Sequence, residues 1–196
     1  MEERRVYLIF TDTGTLFTRL IKLYTKKRYN HVSLSFDHQL QEIFSFGRKK
    51  PYNPFIGGFV REKIDEGLFK KAKCEIYSFT ISESNYNQMR MKVKQIEEKR
   101  DSYKYNLIGL FAVMLKYQLN RKNAFFCSQF VATILKEGQV VLDKSPCQCK
   151  PHDLLGIQSL KLIYRGKLHF YSNISEEKVM EKDQIFGNSI STPIPL

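Results

Sequence analysis

Apolar and polar positions along the 196-residue chain change their period several times, and each change marks a structural element. Val6 to Phe10 (VYLIF) is an unbroken apolar run of strand length, followed by TDTGT, which suits a turn and a helix start. Leu16, Leu20, Ile21 and Tyr24 recur at helical spacing, and the helix is expected to end in Lys26-Lys27-Arg28, where cations suit the negative end of the dipole. From His31, the stretch HVSLSFDHQLQEIFSFG alternates as strand, polar turn at Asp37 and His38, and second strand, a hairpin pattern. Residues 48–60 carry two prolines and two glycines and read as an irregular loop, suited to act as a lid.

Residues 73–81 (KCEIYSFTI) form another strand pattern, after which Ser84 can cap a helix with Tyr86, Met89, Val93 and Ile96 on one apolar stripe. Helices are expected over residues 105–119 and 125–136, the second carrying Cys127 near its first turn. The segment 146–151 is broken by prolines, and residues 160–171 suggest a last hairpin turning at Arg165-Gly166. From Ser172 the chain becomes polar. The pattern therefore gives one α+β domain over residues 1–171 and a poorly ordered tail over 172–196.

Composition narrows the functional classes. Cys74, Cys127, Cys147 and Cys149 lack the spacing of a disulfide framework, and MEERRVYLIF lacks the order of a signal peptide, so a cytoplasmic protein is expected. The longest apolar run, LIGLFAVML, is far shorter than the roughly 20 residues of a membrane span. Lys and Arg outnumber Asp and Glu by 32 to 20, for a net charge of +12. That excess suits an anionic surface or substrate, but no nucleic-acid-binding motif accompanies the basic clusters. Cys147-x-Cys149 with His152 lacks a second ligand pair at zinc spacing, so no metal and no cofactor is expected.

The candidate chemistry starts from NAFFCSQFVATIL. A cysteine in the first turn of a helix lies where unpaired backbone N–H groups and the dipole stabilise a thiolate, and a histidine beside it can hold the ion pair and protonate a leaving group. Of His31, His38, His152 and His169, His31 opens a strand and is followed across the expected hairpin by Glu42. With a two-residue turn at Asp37-His38, Ser33 pairs with Glu42, and Glu42 becomes a diagonal neighbour of His31 on the same face. A one-residue slip would move Glu42 to the other face and offer Ser45 or Gln41 instead.

These pieces, in this order, resemble the circularly permuted papain-fold proteins of the NlpC-like superfamily, especially the YiiX-like group, to which lecithin retinol acyltransferase and its relatives are similar. The matching segments are YNHVSLSF with His31, LQEIFSFG with Glu42, YKYNLIG with Tyr105, FFCSQFVATIL with Cys127, and CKPHDLLG. The resemblance spans residues 6–171. It implies a permuted papain-like α+β fold, with an antiparallel sheet packed against the Cys-bearing helix. It further implies Cys127 as nucleophile, His31 as base and then acid, Glu42 as the residue that orients His31, and Tyr105 and Phe126 as substrate contacts. Gln129 departs from the pattern, standing where relatives often carry an acid.

The expected function is a cysteine hydrolase, an amidase or peptidase, acting on a small-molecule, peptide or lipid-like substrate with an amide or ester bond. Two alternatives use the same fold: an acyltransferase passing the acyl group to a lipid or amine, and a binding module that leaves the thiol unused.

Overall fold

In the computed structural model the described residues are 2–14, 19, 22–23, 25–50, 53–67, 69–106, 109–110, 112, 117 and 121–173. The tail from residue 174, most of the expected 105–119 helix and the apolar positions of the first expected helix lie outside them.

A mixed α+β architecture is built on a six-stranded antiparallel sheet in the order β4-β3-β2-β1-β5-β8. The strands are β1 (Glu3–Asp12), β2 (His31–Ser35), β3 (Ile43–Lys50), β4 (Asn53–Glu62), β5 (Lys73–Ser82) and β8 (Lys161–Lys167). Two short strands, β6 (Lys104–Tyr105) and β7 (Ala124–Phe125), pair in parallel beside it. The central strand β1 is an apolar run because both its faces are covered. Val6, Leu8 and Phe10 enter one core, while Tyr7 and Ile9 enter a second core on the opposite face with Ile43, Ile76, Ile163 and Leu168.

Helices α1 (Glu83–Glu98) and α2 (Cys127–Glu137) pack into the first core. The stripe Tyr86, Met89, Val93 and Ile96 is the buried face of α1, as the spacing predicts, while its cap is Ser82 rather than Ser84, accepting from the Asn85 N–H at 3.3 Å. Helix α2 is buried over most of its circumference, from Cys127 through Ala132 and again at Ile134 and Leu135. Such a helix has little freedom to rotate or shift. Its first residue is therefore held in a defined position.

Three expectations differ from the observed chain path. Residues 48–60 are not an irregular loop, because Arg48 pairs with Gly57 and Gly47 with Gly58 in a β3–β4 hairpin. Gly57 is required there: a Cβ would lie 2.6 Å from the Gly47 carbonyl oxygen and 2.8 Å from Tyr105 Cβ. Arg165-Gly166 is not a turn but lies inside β8, with Arg165 opposite Glu75 and bridging to its carboxylate at 2.7 Å. Finally, the β2–β3 connection is a longer loop built around Asp37. The Asp37 carboxylate accepts the backbone N–H groups of Gln41 at 3.0 Å and Glu42 at 2.9 Å, and Leu40 takes a positive φ of 56°.

The Asp37 loop sets the register. Leu34 pairs with Phe44 and Ser35 with Ile43, a three-residue change from the two-residue-turn pairing, and an odd change reverses the facing of every β3 side chain relative to β2.

Candidate active site

His31 is the first residue of β2, fixed opposite Thr11 of β1. Strand alternation places Ser33 on its face of the sheet, while Val32 and Leu34 enter the core beneath the helices. On the same face, β3 contributes Ser45 and β4 contributes Glu62. The His31 side chain is 16% exposed and that of Glu62 6%, with Glu62 Oε1 2.8 Å from His31 Nε2. Ser33 donates a short hydrogen bond to Glu62 Oε2, so both carboxylate oxygens are engaged.

Cys127 approaches the imidazole from α2. It is the first helical residue, after an N-cap at Phe126 that has no side-chain capping bond, and the thiol is within hydrogen-bonding reach of the His31 ring. Phe130 N to Phe126 O is an early bond of the helix at 3.0 Å, so the amides of the first turn precede the intrahelical ladder. The β6–β7 ladder positions this end: Tyr105 pairs with Phe125 two residues before Cys127, and Asn106 N donates to Phe125 O at 2.8 Å.

Electrostatics favour a charged imidazole. Burial alone would push the His31 imidazolium down, but the Glu62 carboxylate and the Cys127 sulfur outweigh it and lift its pKa from 6.5 to about 10. Burial pushes the Tyr105 phenol up, with the neighbouring Cys127 sulfur adding to the effect and Arg48 opposing it. Tyr105 thus stands beside the thiol as a neutral donor. A charged imidazole, the Cys127 sulfur and a phenolic O–H accordingly converge at a helix N-terminus.

The expected third member does not join them. Glu42 faces the opposite side of the sheet, 35% exposed, where it bridges Arg61 at 3.3 Å and Arg90 at 3.5 Å. The Asp37 loop is the cause, and Glu62 takes the place beside His31 that was assigned to Glu42. Of the two alternatives to Glu42, Ser45 does reach His31, with its Oγ 3.4 Å from Nε2, whereas Gln41 bonds Gln39 on the exposed turn. Phe126, next to Cys127 in the chain, is fully buried.

Glu62 had a signal in the sequence: it follows the run FIGGFV, and alternation from Val60 puts it on the face opposite Phe59 and Arg61. The prolines and glycines around that run give it the composition of a loop, although it is a strand.

The remaining cysteines and histidines have separate surroundings. Cys74 lies inside β5, where burial pushes its thiol up to about 12. Cys149 is buried below α2, its carbonyl accepting from Ser128 Oγ at 2.7 Å, and burial pushes its thiol up to about 11. His152 lies 3.6 Å from Asp153, and His38 Nδ1 is 3.1 Å from the Tyr171 hydroxyl. Among the described residues no His, Cys, Asp and Glu side chains are grouped in threes as metal ligands would be. Among the same residues no helix is long and apolar enough to cross a membrane. Comparison of the chain with protein-family models, curated proteins and solved structures gives no match in any of the three.

Proposed function

We propose that this chain is a cysteine hydrolase of permuted papain-like fold that cleaves an amide or ester through a Cys127–His31–Glu62 triad. The observation that carries the reading is His31 held between the Glu62 carboxylate and a thiol on the first residue of α2. A structural histidine needs one such partner; a catalytic one needs an orienting group behind it and a nucleophile in front.

The chemistry follows from the placement. With Nε2 committed to Glu62, Nδ1 is the ring nitrogen left to take the thiol proton. The thiolate attacks the carbonyl carbon, forming a C–S bond while the carbonyl π pair moves onto oxygen. The first-turn amides of α2 and the Tyr105 hydroxyl are the donors available to that oxyanion. Collapse breaks the bond to the amine or alcohol, which leaves with the proton from Nδ1. Water then gives its proton to Nδ1, attacks the acyl carbon and releases the acid, and Cys127 recovers its proton.

A panel of activated esters and anilides tests the reading, with the acyl adduct sought by mass spectrometry on the Cys127 peptide. An adduct that forms in the wild type, turns over in water and is lost in Cys127→Ala is the expected result. Turnover only when an amine or lipid alcohol is supplied would make the protein an acyltransferase. No adduct from any ester would leave a binding module.

A further inference from the structure

We propose that Ser33 and Ser45 are positioning residues that fix the tautomer of His31, keeping the hydrogen on Nε2 so that only Nδ1 exchanges a proton with Cys127. The placement of the hydrogen stands on hydrogen-bond geometry; its consequence for catalysis rests on the hydrolase reading.

Each serine hydroxyl has one hydrogen to give. That of Ser33 goes to Glu62 Oε2, and that of Ser45 goes to the Val32 carbonyl oxygen at 3.1 Å. Neither acceptor can return a hydrogen. The two serine oxygens nevertheless lie 3.2 Å and 3.4 Å from His31 Nε2, where they have only lone pairs left to offer. Glu62 Oε1, the third atom around Nε2, is also an acceptor. Nε2 therefore meets three acceptors and no donor. A bare Nε2 lone pair would be repelled by all three, so the hydrogen stays on this nitrogen in the neutral ring as in the imidazolium.

The arrangement also gives a role to Ser33 and Ser45, both fully buried, in β2 and β3. Without Ser33, Glu62 Oε2 would lose its donor in a buried setting, and the carboxylate would no longer be held against His31. Ser33 thus acts on His31 through Glu62 as well as directly.

The test uses the full chain labelled with nitrogen-15 histidine, the His31 signals being assigned by their loss in His31→Ala. The ring is titrated upward from pH 7 by long-range proton–nitrogen correlation. In the wild type Nδ1 alone should lose its hydrogen while Nε2 keeps the signature of a protonated nitrogen. Loss from Nε2 instead would overturn the proposal.

In Ser33→Ala the ring should become neutral at a pH lower by about one, the scale set by removal of a charged hydrogen bond. In Ser33→Thr, which keeps the hydroxyl, it should return towards wild type. A Ser33→Ala titration that overlays the wild type would sink the role of Ser33. Should Ser33→Ala not fold, Ser45→Ala carries the readout: it leaves both Glu62 oxygens engaged, and its ring should also neutralise at lower pH, an unchanged midpoint counting against the proposal. None of these readings needs a substrate. A protein that keeps its Nε2 hydrogen as expected but forms no acyl adduct would retain the tautomer device and lose the hydrolase assignment.

Discussion

Glu62 Oε1 lies 2.8 Å from His31 Nε2 although the two residues are 31 positions apart, and the whole β2–β3–β4 meander serves to bring them together. The carboxylate is buried and the imidazole only 16% exposed, and the carboxylate is further held by Ser33. Removing one partner of such a pair leaves an uncompensated group, unlike breaking a bridge at the surface.

Glu62→Gln and Glu42→Gln should therefore behave differently. The first substitution removes the charge that holds His31, and turnover of any ester found to acylate Cys127 should fall by roughly a hundredfold or more. The second loosens exposed bridges to Arg61 and Arg90, of the kind worth about 0–1 kcal/mol, and should leave turnover unchanged. Steady-state rates for the two variants decide this, and equal losses would return Glu42 to the site.

Stability should carry the same signature through pH. The folded protein holds a proton on His31 up to about 10, whereas an ordinary histidine releases it near 6.5, so between those values the native state binds more protons than the unfolded chain. The stabilisation is complete below about pH 6.5 and is lost as the pH rises through about 10. The melting temperature of the wild type should fall more steeply from pH 7 to 10 than that of His31→Gln. Parallel curves would show that the His31 proton adds nothing to folding.

Gly57→Ala tests the hairpin beneath Tyr105. An added Cβ meets backbone on one side and the Tyr105 side-chain root on the other, neither of which can swing away. A loss of about 1–3 kcal/mol is expected, read as a lower melting temperature. At Gly58 the nearest atom is the Tyr103 carbonyl oxygen at 3.1 Å, so Gly58→Ala should cost less. A Gly57→Ala protein as stable as the wild type would mean that β4 does not press on Tyr105. The same packing argues that deleting residues 54–59 removes most of β4 before Glu62 and prevents folding.

How much of this was legible in the sequence depended on the range of the interaction that decides each element. The stripe on α1, the apolar run of β1 and a helix carrying Cys127 in its first turn follow from local periodicity and were readable, although α2 begins two residues later than the expected 125 because Ala124–Phe125 is a strand. His31 was readable because it opens an alternating segment. Its carboxylate partner was not, since the choice between Glu42 and Glu62 turns on one loop. Asp37 captures the Gln41 and Glu42 amides, a side-chain event that hydrophobic alternation does not record, and the resulting register turns Glu42 away. Gly57-Gly58 was legible as unusual but misassigned: the glycines mark a close backbone approach to Tyr105, not a break in the strand. Ser33 could have been found from HVSLS alone, where every second residue shares the face of His31.

Selective alkylation tests the nucleophile without any substrate. All four cysteines are buried, so burial alone does not rank them, and their surroundings must. Burial pushes Cys74 up to about 12 and Cys149 up to about 11, leaving both almost wholly as thiols at neutral pH. Cys127 instead has an imidazolium beside it and an uncapped helix N-terminus behind it, surroundings that make a cysteine reactive. At pH 7, iodoacetamide should modify Cys127 ahead of Cys74, Cys147 and Cys149, with the modified peptide identified by mass. His31→Ala removes the neighbouring cation but leaves the helix terminus, and the rate at Cys127 should fall by about tenfold or more, the equivalent of about 1.4 kcal/mol of lost charge stabilisation. Glu62→Gln should slow it as well, because the imidazolium loses the carboxylate that outweighs its burial. A rate at Cys127 that ignores both substitutions would mean that the sulfur and the imidazole do not form an ion pair, and the triad would fail at its first step.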